Sequence, residues 1–392
     1  MRILHTADWH FGRALEGRSR MEEQSAFMDE LVQIVEDERI DLVLIAGDVY
    51  DSVNPPAWAE QLFYEGVARL AAGGQRQVVV IAGNHDQPER LAASSPLAAA
   101  QGITLLGLPS SQLVTVAAAK TGELARIAAL PYPSEARLKE LLSEETDEAA
   151  LRNRYSARVG QLIRRMASGF AADSVNVIMS HVYVLGGSET ESERPIQVGG
   201  AYTVDTAALT AGAQYVALGH LHRPQLVKAP MPIRYAGSPL AYSFSEAGQA
   251  KSVTVLELAP GEEARPREIF LRSGRPLVSW KASEGLQQVH RWLDEGRDLA
   301  AWIDLEIVMT EAMSLEQIQA LRRARSGFIH IRPVFTEAAE ISELTAMSSL
   351  PMDELFARFY ARRTGGAVPE PELVRLFLEL LQETAAQDAA AE

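Results

Sequence analysis

Five short stretches of this chain place the same kinds of side chain just past an apolar run, and they are the kinds that bind metals. The stretches are Ile3-Leu4-His5-Thr6-Ala7-Asp8-Trp9-His10, Leu42-Val43-Leu44-Ile45-Ala46-Gly47-Asp48-Val49-Tyr50-Asp51, Val78-Val79-Val80-Ile81-Ala82-Gly83-Asn84-His85-Asp86, Val175-Asn176-Val177-Ile178-Met179-Ser180-His181 and Tyr215-Val216-Ala217-Leu218-Gly219-His220-Leu221-His222. A carboxylate and an imidazole two apart in extended chain, as at Asp8 and His10, point the same way and can share one ion. His220 and His222 repeat that spacing with two imidazoles, and neutral imidazole is the commonest transition-metal ligand. A single histidine after a strand is usually structural. Here five of the eight histidines fall at the ends of these stretches and a sixth, His5, lies beside one such end, which chance placement does not produce.

Pooled, Asp8, His10, Asp48, Asn84, His181, His220 and His222 are seven N and O donors. That is too many for one ion and suits two when one carboxylate bridges them, because each ion also keeps a position for solvent or substrate. Asp48 is the expected bridge. The mixture of imidazole, carboxylate and amide oxygen suits manganese, iron or zinc better than calcium or magnesium.

The elements that must position these groups follow from the pattern. Short apolar runs ending in charge read as buried strands whose carboxyl ends carry the site, as in α/β folds. Met21 to Glu38 has helical periodicity through Phe27, Met28, Leu31, Ile34 and Val35. The turn Asn54-Pro55-Pro56 opens a second helix with Trp58, Leu62, Phe63, Val67 and Leu70 on its apolar side. Residues 88–172 read as helix and loop, apart from a strand at Arg126 to Leu130. The run Glu144 to Glu148 reads as a solvated acidic face, and Gly186 to Pro195 as a polar loop. From Pro276 to Phe335 the pattern is strand, helix, strand, helix, strand, with Arg322, Arg323, Arg325 and Arg332 as solvated charge. Two amphipathic helices follow, one lined by Leu355, Phe356, Phe359 and Tyr360, the other by Leu373, Leu376, Phe377, Leu380 and Leu381.

Composition excludes several classes. With 392 residues and 47% apolar content the chain can bury a large core in two or three domains. The absence of cysteine removes disulfides, thiolate zinc sites and thiol catalysis. No signal pattern and no run near the ~18 apolar residues of a membrane helix occurs, so a soluble, cytoplasmic protein without a membrane partner is expected. A formal charge of -15 argues against a surface that grips nucleic acid everywhere, while leaving room for a local basic groove or a cation-binding pocket. No Gly-x-x-x-x-Gly-Lys-Ser/Thr loop is present, so any coupling to ATP comes from a partner.

In order, Asp8-x-His10, Gly47-Asp48-x-x-Asp51, Gly83-Asn84-His85-Asp86, His181 and Gly219-His220-x-His222 resemble the five motifs of the calcineurin-like metallophosphoesterases. The opening Ile3 to His10, Ser192-Glu193-Arg194-Pro195-Ile196, Ile233-Arg234-Tyr235-Ala236-Gly237-Ser238-Pro239 and Ser243-Phe244-Ser245-Glu246 resemble the branch that serves as nuclease subunit in bacterial DNA repair. The likeness is strong to residue 272 and architectural beyond it.

The resemblance implies an α/β fold, a four-layer α-β-β-α sandwich over 1–272, with a small α+β capping domain at 273–336 that admits DNA. A linker at 337–350, helices at 351–385 that dock a coiled-coil ATPase, and a disordered tail at 386–392 complete the expectation. It also implies one ion on Asp8, His10, Asp48 and His222, and another on Asp48, Asn84, His181 and His220. Both are divalent, with manganese favoured and magnesium, iron or zinc as alternatives. His85 matches the catalytic histidine that contacts the scissile phosphate and is not a ligand. Asp51 stands where relatives often carry a second histidine and receives no role. Arg13, Arg18 and Arg20 are the expected DNA contacts. The implied protein is a homodimeric exonuclease and endonuclease acting on DNA ends and hairpins. A phosphoesterase for another substrate leaves the capping domain and docking helices unexplained, and a non-catalytic DNA-end scaffold leaves the intact ligand set unexplained.

Overall fold

The computed structural model describes residues 1–134, 148–193, 202–310, 312–335, 351–363 and 368–388. Contacts divide the chain into two compact units, Met1–Ser279 with Asp298–Asp304, and Trp280–Arg297 with Leu305–Glu392.

In the first unit β1 (Arg2–Thr6), β2 (Leu42–Ala46), β3 (Gln77–Ile81) and β4 (Ile103–Leu106) pair side by side, all parallel. A second sheet takes β5 (Val114–Ala117), β6 (Leu124–Leu130) and β7 (Val175–His181). The short pair β8 (Tyr183–Val184) and β9 (Thr203–Val204) stands apart from it, and β10 (Tyr215–Gly219), β11 (Gln225–Val227) and β12 (Ile233–Tyr235) complete it in the order β11-β12-β10-β7-β6-β5. The chain then returns through β13 (Ser252–Glu257), antiparallel to β1, and β14 (Arg267–Phe270) at the edge of the first sheet.

Side-chain alternation explains why the sheets stack. On β2, Val43 and Ile45 pack with Phe27, Leu31 and Phe63 of α1 (Met21–Asp37) and α2 (Ala57–Ala71). Leu42, Leu44 and Ala46 join Ile127, Val177, Met179 and Ala217 between the two sheets. On the far side, Ile178, Val216 and Leu218 meet Tyr155, Val159, Ile163 and Met166 of a third long helix, Glu148–Ala167. The central strands are therefore apolar on both faces, which is why they read as continuous runs. These three interfaces make the four layers α-β-β-α.

Two short helices, α3 (Pro88–Ala92) and α4 (Ser95–Ala99), precede β4 and bring the Glu148–Ala167 helix to α5 in order. Strands β4 and β5 correct the reading of 88–172 as helix and loop with one strand. Each has four residues, and β5 buries only Val116, so neither carries enough alternation to register.

A separate three-stranded sheet takes β15 (Leu277–Ala282), β16 (Trp302–Met309) and β17 (Phe328–Phe335), in that order, with α6 (Leu286–Asp294) and α7 (Leu315–Ala324) between them in sequence. Trp280 centres its packing, 5.1 Å from Trp292 and 5.7 Å from Phe328 between ring centroids. The Arg325 guanidinium lies 5.4 Å from the Trp280 ring and bonds to the Arg297 carbonyl, so this arginine is interior and not solvated charge. In α8 (Met352–Arg363) and α9 (Pro371–Asp388), Phe356 stacks on Phe377 at 4.2 Å. Helix α9 continues to Asp388, past the point where a disordered tail was expected. The linker 337–350, residues 389–392, most of the acidic run and Arg194 to Ile196 lie outside the described residues. No described helix is long and apolar enough to cross a membrane.

One polar pin joins the sheets. His5 on β1 is fully buried; its Nε2 donates to the Leu218 carbonyl at 3.1 Å, which leaves Nδ1 to accept from the Tyr215 hydroxyl at 2.9 Å. Burial, helped by the Arg234 cation, lowers its pKa from 6.5 to about 3. The unfolded chain therefore takes up a proton near pH 6.5 that the fold refuses, and the stability His5 contributes is complete above that pH and lost as pH falls. Between pH 7 and pH 5 this residue should remove about 2 kcal/mol of unfolding free energy. Urea titrations at the two pH values should show a slope shallower by that amount in His5→Gln, and equal slopes would refute the assignment.

Candidate metal centre

The seven candidate donors leave the carboxyl ends of β1, β2, β3, β7 and β10 at one edge of the stacked sheets. The turns that aim them are unusual. Asp8, His10 and Asp48 have φ of 55°, 46° and 49°, and His220 has 110°. For residues with a Cβ the left-handed region costs roughly 1–2 kcal/mol each, and such strain gathers at functional sites. The loops after β1 and β2 hold each other in it, through Asp8 N to Gly47 O at 3.0 Å, His10 N to Asp48 O at 3.0 Å and Phe11 N to Val49 O at 2.9 Å.

Glycine precedes a donor in three of the stretches because there is no room for a side chain. A Cβ on Gly47 would lie 2.3 Å from His181 Nδ1, one on Gly83 would lie 2.1 Å from Asp48 Oδ1, and one on Gly219 would lie 1.9 Å from the Ala46 carbonyl oxygen. Each clash is with a group from another strand, and two of the three cross between sheets.

Within this edge the donor atoms converge. His10 Nε2 and His222 Nε2 are 2.9 Å apart, and Asp8 offers a carboxylate oxygen to the same group. On the other side, Asn84 Oδ1 is 2.9 Å from His181 Nε2 and 3.2 Å from His220 Nδ1. Asp48 Oδ2 lies between the two sets, 3.7 Å from His10 Nε2 and 3.4 Å from His181 Nε2. All seven sequence candidates are thus brought together, with Asp48 central. His85 stands beside them, its ring centroid 4.7 Å from that of His10. Its Nδ1 donates to the Asp51 carbonyl at 2.7 Å, which leaves Nε2 as the other ring nitrogen.

The hydrogen bonds decide which atoms face the centre. His181 Nδ1 donates to the Ala46 carbonyl at 2.8 Å, and His222 Nδ1 donates to Ser192 Oγ at 2.6 Å, which turns both Nε2 atoms inward. Burial holds His10 and His220 well below the ordinary imidazole pKa, so both are neutral. Burial also raises Asp8. It would raise Asp48 too, but the imidazoles around it, His181 foremost, outweigh burial and hold that carboxyl well below its usual range. His181 is lowered by burial but raised more by Asp48 and Asp8, to about 9. Asp8 Oδ2 and His10 Nδ1 are buried without a hydrogen-bond partner. An orphaned carboxylate oxygen among inward lone pairs is an expensive arrangement for a bare protein and a fitting one for cations.

Several supporting residues lie within the quoted stretches but received no role from the sequence. Asp86 accepts from the backbone N–H groups of Gly83, Tyr50 and Val49 at 2.8, 2.9 and 3.2 Å, tying the β2 and β3 loops together. Burial, then the Asp48 charge, raise it to about 6. Glu193 Oε1 accepts from His222 N at 2.8 Å. For Glu246 the Ser-x-x-Glu capping-box spacing from Ser243 was the signal the sequence offered.

The three arginines expected at DNA separate. Arg18 is exposed. Arg13 sits at the rim, donating to the Ser192 carbonyl at 2.8 Å and 3.7 Å from Asp51 Oδ1. Arg20 is corrected: it is 1% exposed, and its guanidinium is committed to Glu23 at 2.5 and 2.8 Å and to the Ala241 carbonyl at 2.9 Å. A sequence shows the charge of such an arginine but not the partner that consumes it.

The calcineurin-like phosphoesterase family model matches residues 1–224. The chain therefore belongs to that class of metal-dependent phosphoesterases. A second model, the type 5 capsule protein repressor C-terminal domain, matches residues 273–364. The chain is 55% identical over 390 residues to the SbcD subunit of nuclease SbcCD from Bacillus subtilis, covering 99% of this chain and 100% of that protein. To the SbcD subunit of nuclease SbcCD from Rhodobacter capsulatus it is 36% identical over 291 residues, 71% of each. Within the class it falls in the SbcD family.

Ser192→Ala tests how much the orientation of His222 matters. Losing the partner of Nδ1 should weaken divalent-cation binding by the group that contains His222 about 10–100-fold, as read by calorimetric titration. Unaltered binding would show that the turn alone orients the ring.

Proposed function

We propose that this chain is a metal-dependent nuclease that hydrolyses DNA phosphodiesters as the SbcD component of an SbcCD-type complex. The observation that carries the reading is the convergence of seven N and O donors on Asp48 in a chain whose full length matches a nuclease subunit. The proposal assigns Asp8, His10, Asp48 and His222 to one divalent cation and Asp48, Asn84, His181 and His220 to the other, with manganese favoured by the donor set. When bound, the cations supply Lewis acidity to the phosphate and lower the pKa of a water.

The chain's own groups do the rest. The neutral rings of His10 and His220 present lone pairs without first losing a proton. His181 must shed one from Nε2, so cation binding there releases a proton. With Nδ1 bonded to the Asp51 carbonyl, His85 is assigned to contact the scissile phosphate and, in its imidazolium form, to pass the Nε2 proton to the departing ester oxygen as the P–O bond breaks. Arg18, and Arg13 at the rim, supply positive charge for flanking phosphates, a local contribution in a chain whose net charge is -15.

The reading extends to partners. Phe359, Leu376 and Leu380 are 57%, 51% and 53% exposed on α8 and α9, an apolar surface suited to the coiled-coil ATPase of such a complex. The unit around β15 to β17 is assigned to capping the nuclease site, and the assembly to a homodimer.

His85→Ala should lower manganese-dependent cleavage of end-labelled duplex and hairpin DNA by about 10²–10⁴ in kcat while calorimetry still counts two ions. Equal cleavage by parent and variant would remove His85 from the chemical step. Turnover of a small phosphodiester with no cleavage of DNA, even with the ATPase subunit present, would sink the DNA substrate.

A further inference from the structure

His222 is held at every polar atom. Its Nε2 faces His10 Nε2 at 2.9 Å, its backbone N donates to Glu193 Oε1 at 2.8 Å, and its Nδ1 donates to Ser192 Oγ at 2.6 Å. Its carbonyl accepts from Ser238 N at 3.0 Å and from Lys251 Nζ at 3.0 Å. Lys251 is 8% exposed, and its ammonium also reaches Ser238 Oγ at 3.0 Å and the Glu246 carboxylate. Glu246 is wholly buried, and its Oε1 accepts from Tyr242 N at 2.9 Å and Ser243 N at 3.2 Å. The ring of Tyr242 stands edge-on to both imidazoles, 5.5 Å from His10 and 6.0 Å from His222, and its hydroxyl bonds to the Trp9 carbonyl.

A buried ion pair is weak evidence for stability, since desolvation offsets its Coulomb gain. Its placement here calls for another account. An ammonium on the backbone of a metal ligand fixes the turn after β10 more firmly than a neutral donor, because charge-assisted hydrogen bonds are roughly twice as strong. Alone it would repel a dication a few ångströms away. The Glu246 carboxylate beside it cancels that charge, so the pair supplies rigidity without an opposing field. The same carboxylate anchors the backbone of Tyr242, the aromatic wedge against the two imidazoles.

We infer that Lys251, neutralised by Glu246, is a positioning residue for the cation shared by His10 and His222, acting through the His222 carbonyl and not on the cation held by Asn84, His181 and His220. The inference rests on the two-cation reading above. The pair belongs to the chain segment that leads into β13, so residues outside the five metal-binding stretches set the geometry of one ion.

The test is manganese binding to the full chain, by calorimetry and by electron paramagnetic resonance of the bound ions. The parent should bind two ions as a spin-coupled pair. Lys251→Met should bind one ion with unchanged affinity and the other about 10–100-fold more weakly, showing an isolated-ion spectrum at manganese concentrations that saturate the parent and recovering the coupled spectrum in excess. If the lone Glu246 charge prevents folding, the double variant Lys251→Met/Glu246→Gln, which buries no charge, carries the same expectation. Equal weakening of both ions, or no weakening of either, overturns the inference. Fewer than two ions in the parent overturns the two-cation reading instead.

Discussion

The close approach of the two sheets at their carboxyl edge is the constraint on which the rest of the structure depends. Asp8, His10, Asp48 and Asn84 belong to the first sheet, and His181, His220 and His222 to the second. Neither sheet holds a complete set. The clearance that lets the halves meet is set by the His181 ring against Gly47 and by the Ala46 carbonyl against Gly219, which is why neither glycine admits anything larger. The interior between the sheets, filled by small and branched residues such as Ala46, Ala217, Val177 and Leu44, sets the same distance along the strands.

That approach concentrates unfavourable terms. Two carboxylates and several imidazoles are taken out of water, and four of the candidate donors adopt positive φ. A fold tolerates this only where the surroundings over-determine the geometry. Here they do: the β1 and β2 loops are laced together by backbone hydrogen bonds, Asp86 ties the β2 loop to the β3 loop, and the Lys251–Glu246 pair fixes the turn after β10. The groups nearest the centre thus include strained backbone, and those one step behind them are closely hydrogen-bonded.

Much of this was legible in the sequence, for a definite reason. Strands apolar on both faces give continuous runs, and a charged residue directly after such a run is visible without any knowledge of its neighbours. The clustered donors and the stacked sheets were therefore readable. Strands β4 and β5 were not, because four residues with one or two buried positions look like loop. The interior placement of Arg20 and Arg325 was not, because it depends on Glu23 and on the Arg297 carbonyl, contacts that follow only from the fold. Lys251 escaped for the same cause: its importance lies in the carbonyl it reaches, 29 residues before it, and in its pairing with Glu246.

The return of β13 to lie beside β1 has a consequence for the order of events during synthesis. Strand β1 sits between β13 and β2, so the first sheet lacks the neighbour on one side of the Asp8 strand until Ser252–Glu257 has been made. The second half of the donor set begins with His181 and is completed only with His220 and His222, and the lysine on the His222 carbonyl comes later still. Such long sequence separations slow folding, because distant segments must be brought together before their contacts form. They also mean that a chain still attached to the ribosome presents only fragments of its centre through most of its elongation. The candidate centre is therefore assembled only after nearly two-thirds of the chain has been made.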